Sequence, residues 1–199
     1  MRKLIVPLFA LATMALSVPA QAQFMSDSYK FLEAVRKKDG QAVTDALDQP
    51  GSNLVNTRDI TSGETALHIV TNRRDLMWMQ FLIGKGANVN VRDAKGVTPL
   101  VSAVNANFIE GVELLVSKSA RLDESNNAGE TPLITAVHNR NVGLMRILLK
   151  AGADPDRSDN SGRTARDYAR LAGANLLTEI ETNAKPKGGD KAKAYGPKF

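Results

Sequence analysis

Three stretches of this chain superimpose on one another without a gap. GETALHIVTNRRDLMWMQFLIGKGANVNVRDAK begins at Gly63, GVTPLVSAVNANFIEGVELLVSKSARLDESNNA at Gly96, and GETPLITAVHNRNVGLMRILLKAGADPDRSDNS at Gly129. Gly162 opens a shorter fourth copy, GRTARDYARLAG. A period of about 33 residues is far too short for an independent domain. Each copy can only be one supersecondary unit that hides its apolar side against the next. The period alone therefore predicts a stacked, elongated array.

The residues inside each unit say what is stacked. Thr65, Thr98, Thr131 and Thr164 stand where a helix needs an N-cap, and Pro99 and Pro132 follow at the first helical position. A first helix then places Leu67 and Val70, Leu100 and Ala103, and Leu133 and Ala136 three apart on one face. A second helix carries a longer stripe, Leu76, Met79, Leu82 and Ile83, matched by Ile109, Val112, Leu115 and Val116 and by Val142, Met145, Leu148 and Leu149. Gly86 and Gly152 are C-cap glycines, and Asp93, Asn126 and Asp159 are turn residues three before a glycine. Aromatic residues make up only 5% of the chain, so aliphatic side chains must build most of the core.

The opening G-x-T-P-L-H-x-A, the apolar second helix and the D-x-x-G turn resemble the ankyrin repeat. The resemblance implies an all-α solenoid of helix-turn-helix units with β-turn fingers. On that pattern residues 26–62, containing FLEAVRKKDGQAVTDAL with Phe31 and Ala34 in core positions, form a degenerate N-terminal capping repeat. Full repeats follow over 63–95, 96–128 and 129–161. Residues 162–182 form a C-terminal cap in which Arg166 replaces the core leucine and Ile180 closes the second helix. A basic, disordered tail is expected over 183–199.

Departures from the pattern mark weak points. The position between the two helices, usually glycine, is Lys38, Arg74, Asn107 and Arg140 in successive copies, and Ser119 replaces a C-cap glycine. Each such residue at positive φ costs about 1 kcal/mol. Gly111 lies inside a second helix, at the repeat position that Trp78 holds one copy earlier. The expectation is that its missing side chain makes room for the indole.

Catalysis has little to work with. There is no cysteine, so disulfides, thiol chemistry and Cys-ligated zinc are excluded, and no cofactor or metal site is expected. The two histidines, His68 and His138, sit at different repeat positions without carboxylates at ligand spacing. The resemblance gives His68 a structural role, bonding the neighbouring turn. His138 ends a first helix on the exposed face, either as a partner contact or as an ordinary surface residue. Asp93 and Asp159 read as turn formers rather than as an acid and base pair. The chain is therefore expected not to be an enzyme.

The first residues read as an export signal over residues 1–22. Arg2 and Lys3 precede a mostly apolar run from Leu4 to Val18, and Ala20-Gln21-Ala22 supplies a cleavage pattern. The expected address is the bacterial periplasm, with secretion as the alternative. No later segment reads as membrane-spanning. The formal net charge is +5, but two of those charges belong to Arg2 and Lys3. The tail holds Lys185, Lys187, Lys191, Lys193 and Lys198 against Asp190. The repeats are near neutral, which argues against nucleic-acid binding.

A protein partner of unknown identity remains, and the resemblance places it on the concave face of fingers and first-helix ends. That face holds Arg36, Lys37, Asn72, Arg73, Asn105, His138 and Asn139 from the helices. Lys95, Val97, Glu130 and Arg163 come from the fingers. An acidic patch on the partner would suit Arg36, Lys37 and Arg73. The role is read as scaffold or protector of an exported protein. The alternatives are an immunity-type protein neutralising a toxin, and an envelope protein whose lysine tail contacts anionic lipid or cell-wall polymer.

Overall fold

The computed structural model describes residues 20–185. The expected signal lies outside these residues except for positions 20–22, and the expected tail except for positions 183–185. Five helix pairs follow in order: α1 (Ala20–Lys37) with α2 (Gly40–Leu47), α3 (Ala66–Asn72) with α4 (Leu76–Gly84), α5 (Pro99–Asn105) with α6 (Ile109–Ser117), α7 (Pro132–His138) with α8 (Val142–Ala151), and α9 (Ala165–Ala172) with α10 (Ala174–Asn183). The first helices stack as one layer, α1 on α3, α5, α7 and α9 in turn. The second helices stack beside them, α4 on α6, α8 and α10. This is the all-α repeat solenoid that the period predicts.

The apolar stripes end where helical spacing puts them. Leu67, Val70, Leu100, Ala103, Leu133 and Ala136 are sealed from solvent between the layers. Met79, Leu82, Val112, Leu115, Met145 and Leu148 line the other side of the same core, with Leu144 and Leu149. Burying each large aliphatic side chain stabilises by about 1.5–3 kcal/mol. The outer members of the stripes, Leu76, Ile83, Val116 and Val142, are half-buried, and Ile109 is exposed.

The first copy departs from the expectation in two ways. Helix α1 begins at Ala20, ahead of residue 26 and across the expected cleavage point. Its core residues are Phe31, Leu32 and Val35, while Ala34 is only half-buried. The longer connector is put to use as a 3-10 turn, Leu54–Asn56, which packs Val55 against α1 and α2.

Helices α1, α3, α5 and α7 each end in the same left-handed turn, whereas α9 ends at Gly173 with φ 140°. Lys38, Arg74, Asn107 and Arg140 hold φ between 50° and 61°, as the sequence implies. The following amide reaches back five residues, from Asp39 to Ala34, Asp75 to Val70, Phe108 to Ala103 and Asn141 to Ala136, at 2.9–3.1 Å. That bond satisfies a carbonyl the helix leaves unpaired. Helices α4, α6 and α8 repeat the device at Gly86, Ser119 and Gly152.

The fingers are joined through their backbones. The Ala94 amide donates to the Ser62 carbonyl at 2.9 Å, Asn127 to Lys95 at 2.9 Å, and Asn160 to Ala128 at 3.1 Å. Side-chain amides reinforce this ladder, Asn127 to the Ala94 carbonyl at 3.2 Å and Asn160 to the Asn127 carbonyl at 2.9 Å. Such closeness leaves no room for a Cβ. One built on Gly129 would lie 2.5 Å from the Asn160 nitrogen, whereas one on Gly162, where the fingers end, would meet nothing within 4 Å.

Gly111 has a different neighbour from the one expected. A Cβ there would lie 2.4 Å from the Phe108 ring, so Phe108, not Trp78, fills the space. Phe108 precedes α6 by one residue, and its ring folds back over the first turn of its own helix. Trp78 instead meets Phe81 edge-on at 6.0 Å and the Arg73 guanidinium at 5.1 Å.

Two comparisons test this packing. Gly129→Ala and Gly162→Ala face the same unfavourable φ, 83° and 81°. The first adds a clash worth about 1–3 kcal/mol, so its urea midpoint falls well below that of the second. Equal midpoints would contradict the finger ladder. Gly111→Leu destabilises by a similar amount through overpacking, read as a lowered thermal midpoint, and Phe108→Ala in the same chain recovers part of that particular clash.

Candidate functional site: the finger and first-helix face

Each finger is held by one side chain. The Asp93 carboxylate accepts the Lys95 and Val97 amides, both at 2.8 Å. Asn126 accepts Ala128 and Glu130, and Asp159 accepts Ser161 and Arg163, at 2.8–3.1 Å. Asp59 does the same in the first finger, accepting Thr61 and Ser62 at 2.9 Å. The carboxylates are thus structural, as turn chemistry predicts. The Ser62 amide, the Arg36 guanidinium and the Thr61 amide lower the Asp59 pKa to about 2. The Tyr168 hydroxyl, donating at 2.6 Å, is the main cause of the same value at Asp159.

His68 ties one repeat to the next. Its Nδ1 accepts from the Thr65 amide at 3.2 Å, and its Nε2 lies 3.0 Å from the Val97 carbonyl of the following finger. A carbonyl can only accept, so Nε2 carries the hydrogen and the neutral ring satisfies both partners. Burial is the main cause that lowers the pKa of His68. In the next two copies the equivalent positions are the buried Val101 and Ile134, and the threonine hydroxyls cap α5 and α7 unaided.

The structure sorts the candidate partner residues into two groups. Several are engaged within the chain. Arg36 pairs with Asp59 at 2.7 Å and Lys37 with Glu33 at 3.2 Å. Arg73 pairs with Asp75 at 3.2 Å and donates to the Val35 carbonyl at the end of α1. Asn139 donates likewise to Val104 at the end of α5, at 3.1 Å. Asn72 donates to Glu64 at 3.0 Å, and Val97 is half-buried. The basic N-terminal patch is therefore neutralised by its own carboxylates.

The second group stays displayed. Lys95 and Asn105 are exposed on adjoining elements. Farther along, His138, Glu130, Arg163 and Tyr168 form one cluster. The His138 ring meets Tyr168 edge-on with centroids 4.5 Å apart, and its Nδ1 lies 3.6 Å from Glu130. The Arg163 guanidinium stands 5.9 Å from the Tyr168 centroid. This places an aromatic pair on the surface flanked by the Arg163 cation and by two carboxylates, Glu130 and the Asp159 that accepts the Tyr168 hydroxyl, a composition that suits an interface anchor.

Two residues here escape sequence reasoning. Tyr168 sits in what reads as a polar cap, and nothing in its spacing reveals the His138 contact. Ile60, 82% exposed at the first finger tip, carried a usable signal, because a β-branched apolar residue is unusual in a turn. On the second-helix side Met77 is 79% exposed, as its place outside the stripe implies.

The His68 geometry gives a pH dependence with a definite sign. The folded ring takes up a proton less readily than the unfolded one, whose pKa is 6.5. Stability is therefore complete above that value and declines as pH falls through it, because only the unfolded chain gains the proton. Urea midpoints compared at pH 7.5 and 5.5 show this drop. In His68→Gln the protein is less stable at both pH values, but the drop shrinks. An unchanged drop in that variant would contradict the assignment.

A model of ankyrin repeats in three copies matches residues 31–126, and a model of ankyrin repeats in many copies matches residues 114–169. The chain is also similar to diacylglycerol kinase iota of Homo sapiens, 36% identical over 73 residues. That match takes in 37% of this chain and 7% of the kinase. No helix among the described residues is long and apolar enough to cross a membrane. Repeats of this kind are protein-interaction modules, and the carpentry seen here of paired helices, bridging fingers and the Thr65–His68 contact is theirs: the chain belongs to the ankyrin-repeat family.

Proposed function

We propose that the chain is an exported, non-catalytic scaffold that holds a protein partner against its finger and first-helix face. The observation that carries this reading is the backbone ladder joining Ser62, Ala94, Lys95, Asn127, Ala128 and Asn160. It makes four fingers into one preorganised comb, so side chains on them meet a partner with little ordering cost. The contact residues are Lys95, Asn105, Glu130, His138 and Arg163, with Tyr168 as an additional anchor. Arg73, Val97 and Asn139 serve the reading indirectly, through bonds that join one repeat to the next, while Arg36, Lys37 and Asn72 are paired within their own copies. The periplasmic address rests on the basic, apolar and small-residue order of residues 1–22.

The test has two steps. Fractionation of cells producing the chain with a C-terminal tag locates it, and retention in the cytoplasm would contradict the address. Capture from an envelope extract then identifies the partner, and calorimetry measures its affinity for variants. Tyr168→Ala and Arg163→Glu weaken binding at least about tenfold, in the range of interface anchors. Met77→Ser on the opposite side leaves it within about twofold. The reverse pattern would overturn the assigned face.

A further inference from the structure

The edge where each first helix turns into its second carries a feature that the finger face does not explain. All four turns need a left-handed residue, and glycine takes that conformation at the lowest cost. Three of them hold a long cation instead: Lys38 at φ 61°, Arg74 at 59° and Arg140 at 52°. All three are exposed, and none has an ion pair or side-chain hydrogen bond within the described residues. Arg74 rests its guanidinium 5.7 Å from the Phe108 ring centroid. The fourth, Asn107, is neutral and accepts from Asn141 at 3.0 Å.

No neighbouring acid among the described residues forms an ion pair with this row. Asp39 accepts the Ala42 amide at 3.0 Å as the cap of α2. Asp75 caps α4 through Trp78 and pairs with Arg73. Glu33 pairs with Lys37 at 3.2 Å. Glu110, exposed in the first turn of α6, stands beside the neutral rung. Backbone strain is thus retained at three positions that share one edge, one charge and one equivalent place in the repeat.

We propose that this edge is a second docking surface, separate from the fingers, for an extended acidic segment of a partner protein. Packed helices lie about 8–10 Å apart, which sets the distance between rungs. A polyproline II segment rises about 3.1 Å per residue with three residues per turn, so every third side chain faces one way at roughly that spacing. Acidic residues at positions one, four and ten of such a segment would meet Lys38, Arg74 and Arg140. Position seven would meet Asn107 and Glu110 and would not be acidic. An anionic lipid surface would supply charge without this register.

The test uses the purified full chain and two labelled twelve-residue peptides of Pro, Ala and Ser with three Glu. One has Glu at positions one, four and ten, and the other at one, two and three. Fluorescence anisotropy at low salt shows the spaced peptide binding at least about fivefold tighter. Lys38→Gly, Arg74→Gly and Arg140→Gly each weaken it about two- to fivefold, as exposed ion pairs do, and each raises the thermal midpoint. Lys150→Ala, which removes a charge elsewhere, leaves the affinity unchanged. Equal affinity for both peptides, no binding of either, binding only to phosphatidylserine vesicles, or glycine variants that keep full affinity would each overturn the proposal.

Discussion

The backbone hydrogen bonds between fingers are the constraint on which the rest of this structure depends. Each finger amide at Ala94, Asn127 and Asn160 finds its acceptor one repeat back, so no finger is complete alone. The same is true of the helices, whose apolar faces close only against the next pair. Glycine at 63, 96 and 129 follows directly, because the next finger occupies the volume a side chain would need. The end copies show what happens where neighbours run out. The first lengthens α1 and folds its connector into a 3-10 turn. The last replaces apolar contacts with Arg166 reaching Asp156 and Glu181, and Lys185 reaches the Ala151 carbonyl at the end of α8.

Because the interior belongs to stacking, function is left to the edges, and the edges differ in character. The finger face carries an aromatic pair, His138 and Tyr168, set among charges. The turn edge carries isolated cations on strained backbone. The patch that looks most basic in the sequence, around Arg36, Lys37 and Arg73, is the one its own acids neutralise. A run of basic residues is therefore a poor guide to the surface field, because acids of the same copy, Glu33, Asp59 and Asp75, pair with its cations.

What was legible in the sequence is whatever repeats. The period, the threonine caps, the aliphatic stripes and the left-handed turns each recur at fixed spacing, and each takes its expected place. What escaped depends on rotamers and on contacts particular to one copy. Gly111 and Phe108 illustrate this: their one-turn contact within α6 replaces the one-repeat contact that alignment with Trp78 suggests. Arg73 and Asn139 share a repeat position and both cap the preceding helix, but Ala106 between them cannot, so the pattern is hidden. The Ala34 position, buried in later copies, is half-buried in the first because no earlier repeat covers it.

The most direct measurement is amide hydrogen exchange on the intact chain, read residue by residue for Ala94, Asn127 and Asn160. If the fingers are held by one another, these turn amides open only with the array and are protected nearly as well as the amides of α5 and α7. Exchange at the rate of an unstructured peptide, with the helices still protected, would show that the fingers are independent loops and that the helix layers alone hold the stack together.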